Sequence, residues 1–153
     1  MIETVPVCAD DQPFLFHLFS TTRFDEISSW GFDQKMAEQF LRMQWEAQTQ
    51  SYQFQFPAMD HRIILADNKN VGRIIVEMTS HVLHLVDISL LPALRNQGIG
   101  TRMLQELQRE AVQQKKTLSL SVLVSNPAKR LYDRLGFSVV SQDEVYVRME
   151  WRG

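Results

Sequence analysis

Apolar and polar positions along the chain change period several times, and each change marks an element. Ile2 to Cys8 alternates loosely and is rich in β-branched residues, which predicts a first strand ending at Asp10-Asp11. Pro13 then fits the first turn of a helix capped by an aspartate, with Phe14, Leu15, Leu18 and Phe19 at helical spacing. A second helix is predicted from Asp33 to Ala47, with Met36, Phe40, Met43 and Ala47 on one apolar face. Tyr52 to Phe56 alternates aromatic residues with glutamines, the pattern of a short extended segment with one apolar face. Arg62 to Ala66 and Val71 to Met78 read as strands joined by a turn at Asp67-Asn68-Lys69-Asn70.

Val82 to Leu91 is apolar on both faces except for His84, Asp87 and Ser89, as expected of a central strand covered on both sides. Pro92 stops it. Gly98 to Gln114 follows as a helix, with Ile99, Met103, Leu107 and Ala111 along one stripe. Leu118 to Val124 alternates apolar residues with Ser119 and Ser121, a fifth strand. Asn126-Pro127 supplies an N-cap and a first-turn proline to a short helix burying Ala128, Leu131, Tyr132 and Leu135, and Gly136 closes it. Phe137 to Val140 and Val145 to Trp151 finish as strands around Gln142-Asp143. The order is β-α-α-β-β-β-α-β-α-β-β, a mixed α/β fold with a central, mostly antiparallel sheet flanked by helices.

Composition narrows the class without naming it. The 153 residues, 44% hydrophobic and 22% charged, suit one domain over 1–153 with one core, and no repeat or linker divides them. No stretch approaches the roughly 18–20 apolar residues of a membrane span, and Met1 to Gln12 does not resemble a secretory signal. One cysteine, Cys8, forbids an internal disulfide, so a cytoplasmic location is expected; its thiol is read as buried packing rather than as a nucleophile. A net charge of −2 without a basic stripe argues against nucleic acid as a partner.

The chemistry gathers at Arg95-Asn96-Gln97-Gly98-Ile99-Gly100-Thr101, which leaves a strand through Pro92 and opens a helix. Two glycines let main-chain amides face outward, and a helix start carries orphan N–H groups and partial positive charge. Such a turn suits a diphosphate, or is simply a glycine turn before an amphipathic helix. It lacks the third glycine of the dinucleotide fingerprint.

One strand later comes Asn126-Pro127-Ala128-Lys129-Arg130-Leu131-Tyr132-Asp133-Arg134-Leu135-Gly136-Phe137. Arg-x-x-Gly-x-Gly at a helix start, then Asn-Pro-Ala-x-x-Leu-Tyr-x-x-x-Gly-Phe, resembles the GNAT N-acetyltransferase superfamily over roughly residues 82 to 140. The resemblance implies acetyl-CoA as cosubstrate, lying where the central strand splays from its neighbour. The backbone of Ile88, Ser89 and Leu90 would hold the pantetheine arm and thioester carbonyl, and the amides of Asn96 to Thr101 the pyrophosphate. Arg95, Lys129 and Arg130 would add charge. Asn126, one residue nearer to the tyrosine than in many members, would bond the pantetheine amides or cap its helix. Tyr132 would sit by the sulfur.

A phenol of pKa about 10 lies within about two units of a thiol near 8.5, so Tyr132 qualifies as a general acid, or is a core aromatic at helical spacing. The base is open. Ser121 replaces the fifth-strand glutamate of some peptide α-amine acetyltransferases, which counts against a ribosomal-protein or N-terminal acetylation role. His84 titrates in the useful range or is packed; Asp87 is a base, an amine anchor or a structural hydrogen-bonder; Glu77 and His81 are further candidates. Arg23, Phe24, Asp25, Glu26, Trp30 and Phe32, with Tyr52 to Phe56, would line the substrate side, cover the core or meet a second copy in a homodimer. The expected activity is acetyl transfer to a small-molecule or peptide amine. The alternative is an acyl-CoA-binding regulatory module.

Overall fold

The computed structural model describes the backbone of residues 1–153 and all side chains outside residues 24–26 and 28, so the expectation for Phe24, Asp25 and Glu26 lies outside the described side chains. The elements are β1 (Ile2–Pro6), α1 (Gln12–Ser28), α2 (Gln34–Gln55), β2 (Asp60–Ala66), β3 (Lys69–Met78), β4 (Val82–Leu90), α3 (Ile99–Gln114), β5 (Thr117–Leu123), α4 (Lys129–Arg134), β6 (Ser138–Gln142) and β7 (Tyr146–Trp151). Their order is the expected one. The sheet order is β1-β2-β3-β4-β5-β7-β6. β4 and β5 are parallel, while β1 with β2, β5 with β7 and β6 with β7 are antiparallel. The chain forms two compact units, Met1–Arg73 with Ser89–Leu94, and Ile74–Ile88 with Arg95–Gly153.

In the first unit, Asp67 and Asn68 take φ of 50° and 67°, which makes the β2–β3 connection a two-residue turn matched to the twist of its strands. Pro13 occupies the first turn of α1, whose Leu15, Leu18, Phe19 and Ile27 are buried. Asp11, expected to cap α1, instead accepts from the Cys8 amide at 2.9 Å. Cys8 itself is exposed, which corrects the expectation of buried packing.

Two expectations for α2 are overturned. It continues eight residues past Ala47 to Gln55, so Tyr52 to Gln55 form its last turn rather than an extended segment, and the Phe56 amide closes onto the Tyr52 carbonyl at 2.8 Å. Glutamine is a good helix former, so Gln53 and Gln55 let a nucleated helix propagate through an alternating pattern. Three of the four residues of the expected inner face point outward, Met36 being 50% exposed, Met43 69% and Ala47 exposed, while Phe40 is half-buried. The inner face is Leu41, Trp45, Gln48 and Tyr52, also at helical spacing. Leu41 joins Phe19 and Ile27 in a core cluster flanked by Phe16, Phe40 and Trp45. The buried Arg73 of β3 fixes the rest, donating from Nη2 to Gln48 Oε1 at 2.9 Å and placing its guanidinium 6.0 Å from the Tyr52 ring. A buried cation must be satisfied, and it selects Gln48 and Tyr52 over the methionines.

In the second unit, register sorts the two sheet faces. Leu118, Leu120 and Val122 of β5 stand opposite Trp151, Met149 and Val147 of β7, and apart from the half-buried Trp151 all are buried. Both helices lie on this side. Trp151 lines a groove with Gln108 and Val112 of α3, a Cβ added at Gly136 after α4 would touch the Trp151 ring, and Gln108 Nε2 donates to the Leu135 carbonyl at 2.9 Å. The predicted stripe Ile99, Met103, Leu107 and Ala111 is buried, with Leu104 added. β4 is central in the sheet order, with Leu83 and Leu85 buried and its other residues half-buried.

Among the described residues, no helix is long and apolar enough to cross a membrane. Leu118→Ala, at a position 0% exposed, should cost about 2–5 kcal/mol in chemical denaturation. Met43→Ala should change stability by less than about 0.5 kcal/mol, against the larger loss its expected inner position would give.

Candidate active site

The defining feature is a hydrogen-bonded ladder that stops early. β4 and β5 are in parallel register from Val82↔Thr117 to Leu85↔Leu120, whereas β4 continues to Leu90 and β5 to Leu123. β5 stays paired with β7 through Leu123↔Tyr146, so its other edge opens toward β4 from Ser121 onward. A cleft between diverging parallel strands offers main-chain donors and acceptors to an extended polar ligand.

β4 leads through a single 3-10 turn, Pro92–Leu94, to the mouth of α3. Asn96 and Gly98 both take left-handed conformations, φ 61° and 83°. Asparagine tolerates this better than most residues and glycine without cost. Gly98 has no side chain to cap α3, whose first internal bond runs from the Arg102 amide to the Gly98 carbonyl at 3.0 Å. The amides of Ile99, Gly100 and Thr101 therefore have no carbonyl within the helix to meet. A Cβ added at Gly98 or at Gly100 would find nothing within 4 Å. Open space in front of a helix start with orphan amides fits a diphosphate. Ile99 turns its side chain inward and Arg95, Asn96 and Gln97 are exposed.

Ser89 and Leu90 belong to the first unit, where the Leu91 amide donates to the Val71 carbonyl at 2.8 Å. A Cβ at Gly72 would collide with the Ser89 carbonyl and the Leu90 side chain, so this close approach requires glycine. Ile88 is half-buried beside the cleft.

Asn126 does not cap α4, which starts at Lys129 with Ala128 in the cap position. Its Oδ1 accepts from the Ala128 amide at 2.9 Å, closing an Asx turn over Pro127. Lys129 is tied to Asp133 at 3.1 Å within α4, and Arg130 is exposed. Tyr132 is only 7% exposed, and its ring meets Phe137 edge-on at 5.7 Å between centroids. Burial, and then the charge of Asp87, push its phenol up to about 12. Asp87 follows Leu83 and Leu85 in the strand alternation and so shares their face.

His84 lies on the other face. Its Nδ1 is 2.7 Å from Ser119 Oγ, the residue opposite it in the ladder. Burial, and then the charge of Arg148, hold its pKa below the usual value, with Glu77 opposing them. His84 is therefore neutral at pH 7. Tyr132 with Asp87 on one side, and His84 on the other, thus stand on opposite faces of the sheet rather than in one cluster. His81 is exposed at the turn before β4, and its carbonyl accepts from the Thr117 amide at 3.1 Å; Glu77 is half-buried. Ser119 and Arg148 escaped the sequence reading, because only strand register brings them to His84.

A sheet with one prematurely ended parallel pair, beside a glycine-opened helix start, defines a mixed α/β fold with a main-chain cleft. The family model described as Acetyltransferase (GNAT) family matches residues 24–137, and the chain belongs to this family, whose enzymes use acetyl-CoA as cosubstrate. Solved structures share the fold over essentially its whole length. A PaiA N-acetyltransferase from Thermoplasma acidophilum, in complex with coenzyme A, is 17% identical with a TM-score of 0.73, covering 100% of this chain and 99% of its own. The ribosomal-protein-S18-alanine N-acetyltransferase from Escherichia coli is 20% identical, TM-score 0.67, with 99% and 94% covered. The Campylobacter jejuni N-acetyltransferase PseH, in complex with acetyl coenzyme A, is 16% identical, TM-score 0.62, with 99% of both chains covered. No curated protein matches the chain.

Replacing Arg148 with glutamine removes a positive charge that disfavours the imidazolium, so the pKa of His84 should rise. Titration of its ring protons by NMR measures this, and an unchanged midpoint would contradict the electrostatic account.

Proposed function

We propose that the whole chain forms one cytoplasmic N-acetyltransferase domain that moves an acetyl group from acetyl-CoA to a primary amine by direct attack. The end of the β4–β5 ladder at Leu85↔Leu120, next to the open start of α3, carries this proposal. The amides of Ile99, Gly100 and Thr101, with those of Asn96 to Gly98, would grip the pyrophosphate, and Arg95 would add charge. The backbone of Ile88 to Leu90 and Asn126 would hold the pantetheine arm. Acetyl-CoA supplies an activated thioester. A C–N bond forms and the C–S bond breaks; the nitrogen loses one proton to His84, and the departing thiolate, hydrogen-bonded by Tyr132, takes one from solvent. A main-chain N–H of β4 released from the ladder stabilises the oxyanion of the tetrahedral intermediate.

Tyr132 serves the leaving sulfur. With its pKa near 12, it sits about 3.5 pH units above an ordinary thiol, so full proton transfer to a thiolate is uphill. A phenol that stays protonated is a steady hydrogen-bond donor, and that is the role its burial and the charge of Asp87 favour. His84, neutral at pH 7 and oriented by Ser119, takes the amine proton on the opposite side. Asp87 acts on Tyr132 rather than as the base.

Thiol release with a broad amine panel tests the activity. Tyr132→Phe should lower kcat at least about tenfold while leaving CoA affinity within threefold. Unchanged turnover would remove Tyr132 from the reaction. Gly100→Asp should leave the fold intact, since an acidic residue suits the first turn of a helix, yet weaken CoA binding at least about tenfold by meeting the phosphates. Coenzyme A bound without turnover of any amine would favour a sensing module instead.

A further inference from the structure

The face of the second unit that bears no helix of that unit carries an arrangement the proposed reaction has not used. Register places Ser121 of β5 opposite Arg148 of β7, and Arg148 opposite Ser141 of β6. Ser121 and Arg148 therefore lie side by side on one face, about 5 Å apart, Ser141 pairs with Arg148 just past a register shift after Val139, and all three are exposed. The next row toward the strand ends, Leu123 with Tyr146, is exposed and largely apolar. Ser121 and Leu123 are also the residues of β5 that border the cleft beyond Leu120.

We infer that this face holds a subsite for an anionic group on the acceptor, with Arg148 as its centre and the Ser121 and Ser141 hydroxyls at its sides. The inference rests on the acetyl-transfer proposal and specifies its substrate class. A guanidinium between two hydroxyls presents donors in the plane a carboxylate or phosphate requires. Among the described residues, Glu150 is the carboxylate within salt-bridge reach of Arg148, at 3.9 Å, and it is shared with Arg152 at 3.5 Å. At 3.9 Å the Arg148 contact is an ion pair without a hydrogen bond. Leu123 and Tyr146 would receive the apolar part of the same acceptor. Arg148 stands one strand away from β5, so an anion on it lies about 6–10 Å from the cleft, the reach of roughly five to eight bonds from the attacking nitrogen to the anionic oxygen.

Matched amines that differ only in the anion test this. 4-Aminobutyrate is compared with butylamine, and 3-aminopropyl phosphate with 3-aminopropanol, by initial rates of thiol release and by calorimetry on the CoA-bound protein. At least one anionic member should show kcat/KM at least tenfold above its uncharged twin, and which pair does so separates carboxylate from phosphate. In Arg148→Gln that preference should collapse through KM of the anionic member, with Arg148→Lys restoring part of it. Equal use of both members, or equal losses for both in Arg148→Gln, would overturn the subsite while leaving acetyl transfer in place. Arg148-dependent binding of the anionic member without any turnover would support the subsite and sink the acetyl-transfer proposal. Neither preference nor Arg148-dependent binding in either pair would overturn the subsite.

Discussion

Every feature of the site depends on where the hydrogen bonds between β4 and β5 stop. Parallel strands in a sheet normally satisfy each other along their shared length, and an open edge inside a sheet is costly unless water or a ligand replaces the missing partner. Here pairing ends at Leu85↔Leu120, although both strands run on. β7 holds β5 straight through Leu123, and in the first unit Gly72 lets β3 approach closely at Ser89 and Leu90.

The same divergence divides the chemistry between two faces. On the helix-bearing face, α3 and α4 bring the orphan amides of the Gly98–Thr101 turn and the phenol of Tyr132 to the cleft, and the apolar layer beneath them keeps that phenol dry enough to remain protonated. The other face is polar near His84 and Ser119 and opens outward at Arg148 and Tyr146. Burial tunes the two titratable groups in opposite senses, because it disfavours whichever form is charged: the phenolate for Tyr132, the imidazolium for His84. Both side chains are thereby kept neutral, the state that the proposed transfer to a free amine would use.

Strongly periodic segments with their own punctuation were readable in the chain. The stripe of α3, the stop at Pro92, the closing Gly136 and the order of all eleven elements followed from local pattern. α2 was not, because it carries two helical stripes of comparable strength. Met36, Phe40, Met43 and Ala47 form one, and Leu41, Trp45, Gln48 and Tyr52 the other. The second is buried because Arg73, more than twenty residues away, needs Gln48 beside it. Asn126 was misread by a smaller margin. The Asn-Pro pair signals a turn and a helix start equally well, and the first helical hydrogen bonds settle on the turn preceding Lys129.

By itself the sequence determined which main-chain conformations were available: left-handed turns where glycine or asparagine stands, helix starts without a capping side chain, and strands whose period matches a half-buried sheet. These are properties of short segments, set by sterics and by the hydrogen bonds a residue makes with near neighbours. Only the tertiary structure decided that the β4–β5 ladder ends at Leu85, that His84 meets Ser119 under the charge of Arg148, and that Tyr132 lies near Asp87. Strand register and strand divergence join residues dozens of positions apart, and no local periodicity encodes which of several compatible registers the packed core will choose.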